Sequence, residues 1–159
     1  MPAPKEPTTL ELIADSPVKY GFRITTVRNW YAVPAFGRIE REFGLTDSEI
    51  TVIFCLGHIA ALRAKDVSVI SARPKNSISR AVHLLLRKKL VEQSADRADK
   101  REKTLTLTQA GQSMFRKIMP IFQARQDAML SALTARERQS FDRLLDKLVA
   151  GLDSRDTAE

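Results

Sequence analysis

Residues 73–103 read RPKNSISRAVHLLLRKKLVEQSADRADKREK, and this stretch decides the fold. It follows a turn-like Ser71-Ala72-Arg73-Pro74 and continues into a helix. Ile78, Val82, Leu85 and Leu86 recur at i, i+4, i+7 and i+8, which places them on one helical face. The opposite face carries Asn76, Ser79, Arg80, His83 and Arg87, a stripe able to hydrogen-bond and not merely to be solvated. A short apolar segment, Leu90-Val91, precedes a charged tip from Asp96 to Lys103, and the alternating strand Thr104–Thr108 follows. Helix, strand, basic loop, strand is the order of a winged helix-turn-helix, and the reading is a DNA-binding module.

The charge pattern supports it. The chain has 159 residues and a net charge of +7, which makes a polyanionic partner worth testing. Arg63 to Lys103 holds 12 Lys/Arg against 5 Asp/Glu, so the whole excess lies in the module and the rest of the chain is neutral. A merely solvated face does not predict such segregation. The single cysteine, Cys55, excludes an internal disulfide and suits a reducing cytoplasm. The polar, proline-rich start shows no secretory signal, and the most apolar run, Ile50–Leu62, is too short to span a bilayer of ~30 Å. No phosphate loop, nucleophile elbow or metal-ligand spacing is present, so the sequence gives no support to an enzyme, a cofactor or a metal site.

Outside the module, residues 1–15 read as a flexible arm with a short turn at Leu10–Ile13, and 153–159 as a tail. Ser16-Pro17 reads as a helix start, with Tyr20, Ile24, Val27 and Tyr31 at helical spacing. Pro34 is expected to break or kink that helix, and Gly44 to end it after Phe36, Ile39 and Phe43. Thr46 and Glu49 form a capping box before an apolar, central helix from Ile50 to about Ile59. A short helix over Ala64–Ile70 follows, with Val67 and Ile70 facing inwards. A long helix from Thr108 to about Leu133 carries Met114, Ile118, Ile121, Phe122 and Met129, with a kink at Pro120. A second capping box, Thr134/Glu137, opens a helix bearing Phe141, Leu144, Leu145, Leu148 and Leu152, which Gly151 closes. The apolar stripes of the terminal helices need a cover. They either pack on the winged module or pair with a second subunit. The dimer is the favoured reading, because a two-fold pair presents two recognition helices to half-sites about one helical turn apart.

This order of elements resembles the MarR family of bacterial transcriptional regulators. Arg73–Arg80 resembles the family's recognition-helix opening, and Leu90-Val91 its exit before the wing, where many members have glycine in place of Lys89. Asp96 with Asp99-Lys100-Arg101 resembles the wing signature, and Leu105–Gly111 the step from strand to helix. The resemblance covers Ser16 to Leu152. It implies a mainly α fold with a small wing hairpin, a DNA-binding module over 45–108, and dimerisation through 16–44 and 109–152. It also implies a palindromic operator and repression relieved by a small ligand, often an aromatic acid, or by an oxidant.

The groove-facing set is then Asn76, Ser77, Ser79, Arg80 and His83, with Arg73 and Lys75 also counted among the DNA-binding residues. An amide can read adenine, Arg can read guanine, and the serine hydroxyls suit phosphates. Arg101 is expected in the minor groove, oriented by Asp99 as a structural partner, while Arg97, Lys100 and Lys103 neutralise phosphates. Trp30, Tyr31, Phe36 and His58 are candidates for an aromatic-acid pocket, against ordinary core and interface packing. Cys55 sits within the most apolar helix, where a free cysteine behaves as a small hydrophobe and not as a sensor. A protein–protein winged helix would not need the basic tip; a DNA-bound repressor without a ligand response stays open.

Overall fold

The computed structural model describes Ile13, residues 16–95 and residues 103–153. The turn expected at Leu10–Ile13 falls mainly outside these residues. The fold is a winged helix-turn-helix set between long helices: α1 (Lys19–Phe43), α2 (Asp47–His58), β1 (Leu62–Arg63), α3 (Ala64–Ser71), α4 (Lys75–Arg87), β2 (Val91–Ala95), β3 (Lys103–Leu107), α5 (Gln109–Leu130) and α6 (Ala135–Asp153). The strands form one antiparallel sheet in the order β1-β3-β2.

Helix α1 departs from its sequence reading at its start. It starts at Lys19, not at Ser16-Pro17, because Ser16 lies too early to cap it; Ser16 contributes only its carbonyl, which accepts from Lys19 N–H at 3.1 Å. It then runs unbroken through Pro34. A proline removes one backbone donor, but Ala32, Ala35 and Ile39 are buried on either side of it, and their packing holds the helix together. Pro120 is likewise internal to α5, between buried Ile118 and Ile121. Gly44 ends α1 with φ +64°, the left-handed conformation that glycine adopts without steric cost.

The Thr46/Glu49 capping box opens α2 as the sequence predicts, with Thr46 N–H donating to Glu49 Oε2 at 2.9 Å. Ile50, Val52, Ile53, Cys55 and Leu56 are buried, whereas Phe54 lies at the surface. In α3, Val67 is buried but Ile70 is 54% exposed, against expectation. Ser68 explains the rotation: its hydroxyl turns inwards and donates to Arg73 O at 2.6 Å. The inward face is therefore centred on 67, 68 and 71, and at 3.6 residues per turn Ile70 falls outside it.

The two-residue strand β1 has no alternation to announce it; it exists because Leu62 and Arg63 pair with Leu105 and Thr104. Strand β3 alternates as predicted, burying Leu105 and Leu107. Thr108 caps α5 with its hydroxyl, accepting from Gly111 N–H at 3.0 Å and donating to Lys89 O at 2.8 Å. A Cβ on Gly111 would stand 1.9 Å from Leu90 O, so only glycine fits at this step. Helix α5 ends at Leu130, earlier than the expected Leu133, and α6 continues past Gly151 to Asp153. The core joins Ile39, Leu45, Ile50, Ile53, Ile78, Leu85, Leu105 and Ile118, all at most 1% exposed.

The terminal helices leave their stripes uncovered in one chain. Ile24, Val27, Trp30 and Val33 of α1 are 44–73% exposed, and Leu144, Leu145, Leu148 and Val149 of α6 are 39–59% exposed. The winged module thus does not cover them.

Candidate nucleic-acid interface

Helix α4 is split cleanly by burial. Ile78, Ala81, Val82 and Leu85 are buried, and Lys75, Asn76, Ser79, Arg80, His83 and Arg87 are exposed on the other side. The apolar face docks the helix on the core, so the polar face must point outwards. Pro74 precedes the first turn and its carbonyl accepts from Ser77 N–H at 3.0 Å. Asn76 Oδ1 accepts from Ser77 N–H at 2.8 Å. Ser77 is half-buried beside it.

Two residues with positive φ bracket this helix, Ala72 (φ 50°) and Lys89 (φ 56°). At the first, Arg73 N–H donates to Ser68 O at 3.1 Å; at the second, Leu90 N–H donates to Leu85 O at 3.0 Å. Each is a left-handed helix stop that reverses the chain within two residues, and each holds a side chain where glycine is the unstrained choice. The first sets the helix-turn-helix angle; the second aims the chain into β2.

Arg73 stands apart from its neighbours. Its guanidinium donates to Asp47 Oδ2 at 3.1 Å and contacts Ser48 Oγ at 3.4 Å, and its side chain is only 21% exposed. It ties the turn before α4 to the start of α2. Arg63 pairs with Asp66 at 2.8 Å and Lys88 with Glu49 at 2.6 Å. The hydrogen bonds from Arg63 hold the Asp66 carboxyl below its ordinary range. Among the described residues, Arg63, Arg73 and Lys88 of the basic stretch are therefore engaged within the protein, and the charge count overstates what a ligand meets.

The ladder closes at the pair Ala95–Lys103, which puts exposed Lys103 at the root of the wing. Asp96, Arg97, Asp99, Lys100 and Arg101 lie outside the described residues. Among the described residues no cluster of His, Cys, Asp and Glu could hold a metal ion, and no helix is long and apolar enough to cross a membrane.

The four aromatic candidates do not converge. Tyr31 and Phe36 pack on Phe122, with ring centroids 5.9 and 5.6 Å from it. Trp30 is 73% exposed, and with Tyr31 it lines a groove shared with Thr26, Arg125 and Met129. His58 belongs to a separate stack between Phe54 (4.4 Å) and Phe115 (5.2 Å), with Nδ1 2.9 Å from Phe54 O. Arg125, which the sequence reading missed, bonds the Trp30 carbonyl. No periodic signal marks it; an arginine on a polar turn of α5 reads as solvated. Cys55 is buried, and that burial pushes its thiol up.

Residues 43–102 match the family model described as MarR family. No curated protein sequence matches the chain. Solved structures do. A MarR-family regulator from Silicibacter pomeroyi superposes with a TM-score of 0.77 at 23% identity, covering 83% of this chain and 88% of its own. BpsR of Bordetella bronchiseptica, whose structure describes regulation of its DNA binding by 6-hydroxynicotinic acid, gives 0.70 at 23%, covering 82% and 98%. A mutant of E. coli MarR complexed with operator DNA gives 0.71 at 19%, covering 86% and 97%. Residues 43–102 thus resemble the MarR-family module, and over most of its length the chain has the fold of these solved structures.

Proposed function

We propose that this MarR-type chain is one protomer of a dimeric, sequence-specific DNA-binding regulator that acts in the cytoplasm as a repressor. The observation that carries the reading is the exposed face of α4. Lys75, Asn76, Ser79, Arg80 and His83 stand outwards from a helix whose other face is fully seated in the core. Such a helix is rigid, basic and donor-rich, which is what reading base edges in a major groove needs. Arg80 and Asn76 are the base readers; Ser77, Ser79 and Lys75 hold phosphates. Arg73 contributes mainly by fixing the turn against Asp47, and the basic wing tip, with Arg101, reaches the adjacent minor groove.

Dimerisation by residues 16–44 and 109–152 follows from the uncovered stripes of α1 and α6. Exposed apolar surface on this scale marks an interface, and a two-fold partner covers it while placing a second copy of α4 beside the first. The module over 45–108 is then one head of a reader of palindromic operators. For the effector we propose a small aromatic acid. The Trp30–Tyr31–Arg125 groove supplies aromatic faces next to a guanidinium, and the relative BpsR responds to a compound of this class.

The test is selection of a duplex from a random library, followed by equilibrium titration over a range of salt. The expected result is a pseudo-palindromic site whose affinity falls steeply with salt. Arg80→Ala should weaken binding by about 1–3 kcal/mol and relax preference at one base position. Wild-type affinity for both Arg80→Ala and Arg101→Ala would overturn the assignment. Aromatic carboxylates screened by thermal shift should raise the midpoint; uniformly null shifts point to a ligand-independent repressor.

A further inference from the structure

Arg87-Lys88-Lys89 reads as three cations in a row at the end of the recognition helix, but the middle one faces the protein. Lys88 Nζ donates to Glu49 Oε1 at 2.6 Å and to the carbonyl of Gly44 at 2.8 Å. Glu49 is fully buried, at 0% exposure. Its other oxygen, Oε2, accepts from Thr46 N–H and from Thr46 Oγ1, both at 2.9 Å. Three elements end at this one point: Gly44 terminates α1, the Thr46/Glu49 box starts α2, and Lys88 is the C-cap of α4.

A buried carboxylate is costly without a counter-charge, and removing its partner leaves that cost uncompensated. The Lys88 ammonium is therefore committed to the joint. The joint also has a direction. Gly44 closes the helix that carries the uncovered apolar stripe, so the Lys88–Gly44 bond links the proposed dimer interface to the DNA-reading helix without passing through the core. We infer that Lys88 is a positioning residue that sets the angle of α4 relative to α1, and through it the distance between the two recognition helices of a dimer. The inference rests on the DNA-binding reading above.

The lever is long enough to matter. The 13 residues of α4 span about 20 Å at 1.5 Å per residue. A tilt of about 10° about the Lys88 end moves the opposite end by about 3.5 Å, close to the 3.4 Å step between bases. A loosened joint should thus cost operator affinity and also blur the preferred half-site spacing by about one base pair.

The experiment uses the full-length protein, its selected operator, and duplexes with the half-sites one base pair closer or further apart. Lys88→Met should weaken operator binding by about tenfold or more. It should leave the slope of log affinity against log salt unchanged and reduce the penalty for the altered spacings. A slope shallower by about one unit would make Lys88 a phosphate contact and overturn the inference, as would unchanged affinity and spacing preference. Because Lys88→Met strands a buried carboxylate, Lys88→Met with Glu49→Gln is the companion variant. Removing both charges should restore folding, and the spacing preference should stay loosened. A folded double variant with wild-type spacing preference overturns the inference. Failure of the wild type to select any duplex would instead refute the DNA-binding reading, and this inference with it.

Discussion

Lys89 offers a measurement in which backbone and charge make opposite forecasts. It holds φ 56° just past α4, with its N–H donating to Leu86 O at 3.0 Å and the next N–H to Leu85 O. A side chain in the left-handed region costs about 1–2 kcal/mol, because Cβ crowds the following carbonyl. Glycine escapes that cost but loses about 0.5–1 kcal/mol more chain entropy on folding. Lys89→Gly should therefore stabilise the protein by about 1 kcal/mol, or about 2–4 °C in Tm at this chain length. Lys89→Ala removes the same charge and keeps the strain, so its stability should match the wild type. Ala72, at φ 50°, is the same case at the other end of α4. The two sites lie about 20 Å apart along the helix, far enough for their effects to add. Ala72→Gly with Lys89→Gly should thus gain about 2 kcal/mol. The assay is urea unfolding followed by circular dichroism, with all variants at one protein concentration, since assembly shifts apparent stability. Equal stability of Lys89→Gly and Lys89→Ala would refute the backbone account and make any gain an effect of charge.

Gly111→Ala should act in the opposite sense. Its Cβ would sit 1.9 Å from Leu90 O, which already accepts from Thr108 N–H at 3.1 Å, so β2 or α5 must move; a loss of about 3 kcal/mol on urea unfolding is expected, and a variant as stable as the wild type would mean this approach is looser than described. The buried thiol of Cys55 should stay unreactive towards peroxide and thiol reagents at pH 7 until denaturant is added; stoichiometric labelling of the folded protein would refute this. Hydrogen bonding from Arg63 holds the Asp66 carboxyl below its ordinary range in the folded chain. Its contribution is present above the unfolded value and lost as pH falls through the folded one. Asp66→Asn should then be less stable at neutral pH and approach the wild type as pH falls through and below the ordinary carboxylate range, and parallel stability curves would contradict the assignment.

Much of the chain could be read without coordinates, because the signals involved are local. The spacing of Ile78, Val82 and Leu85 orients α4 whatever it packs against, so its polar face was legible at once. The two capping boxes, Thr46/Glu49 and Thr134/Glu137, close within four residues, and both form. Alternation marked β3 for the same reason. What the sequence could not decide are matters settled across distance. Pro34 does not break α1, because buried residues on both sides of it outweigh one lost hydrogen bond. Ile70 faces out because Ser68 is drawn inwards to the Arg73 carbonyl. Strand β1 exists only through its partner in β3. Above all, the sequence shows a uniform run of positive charge, while the tertiary structure divides it. Arg73 and Lys88 look like their neighbours in the chain, yet carboxylates 26 and 39 residues away claim them. Periodicity reports which face a side chain takes; only the folded chain brings the charge that it meets there.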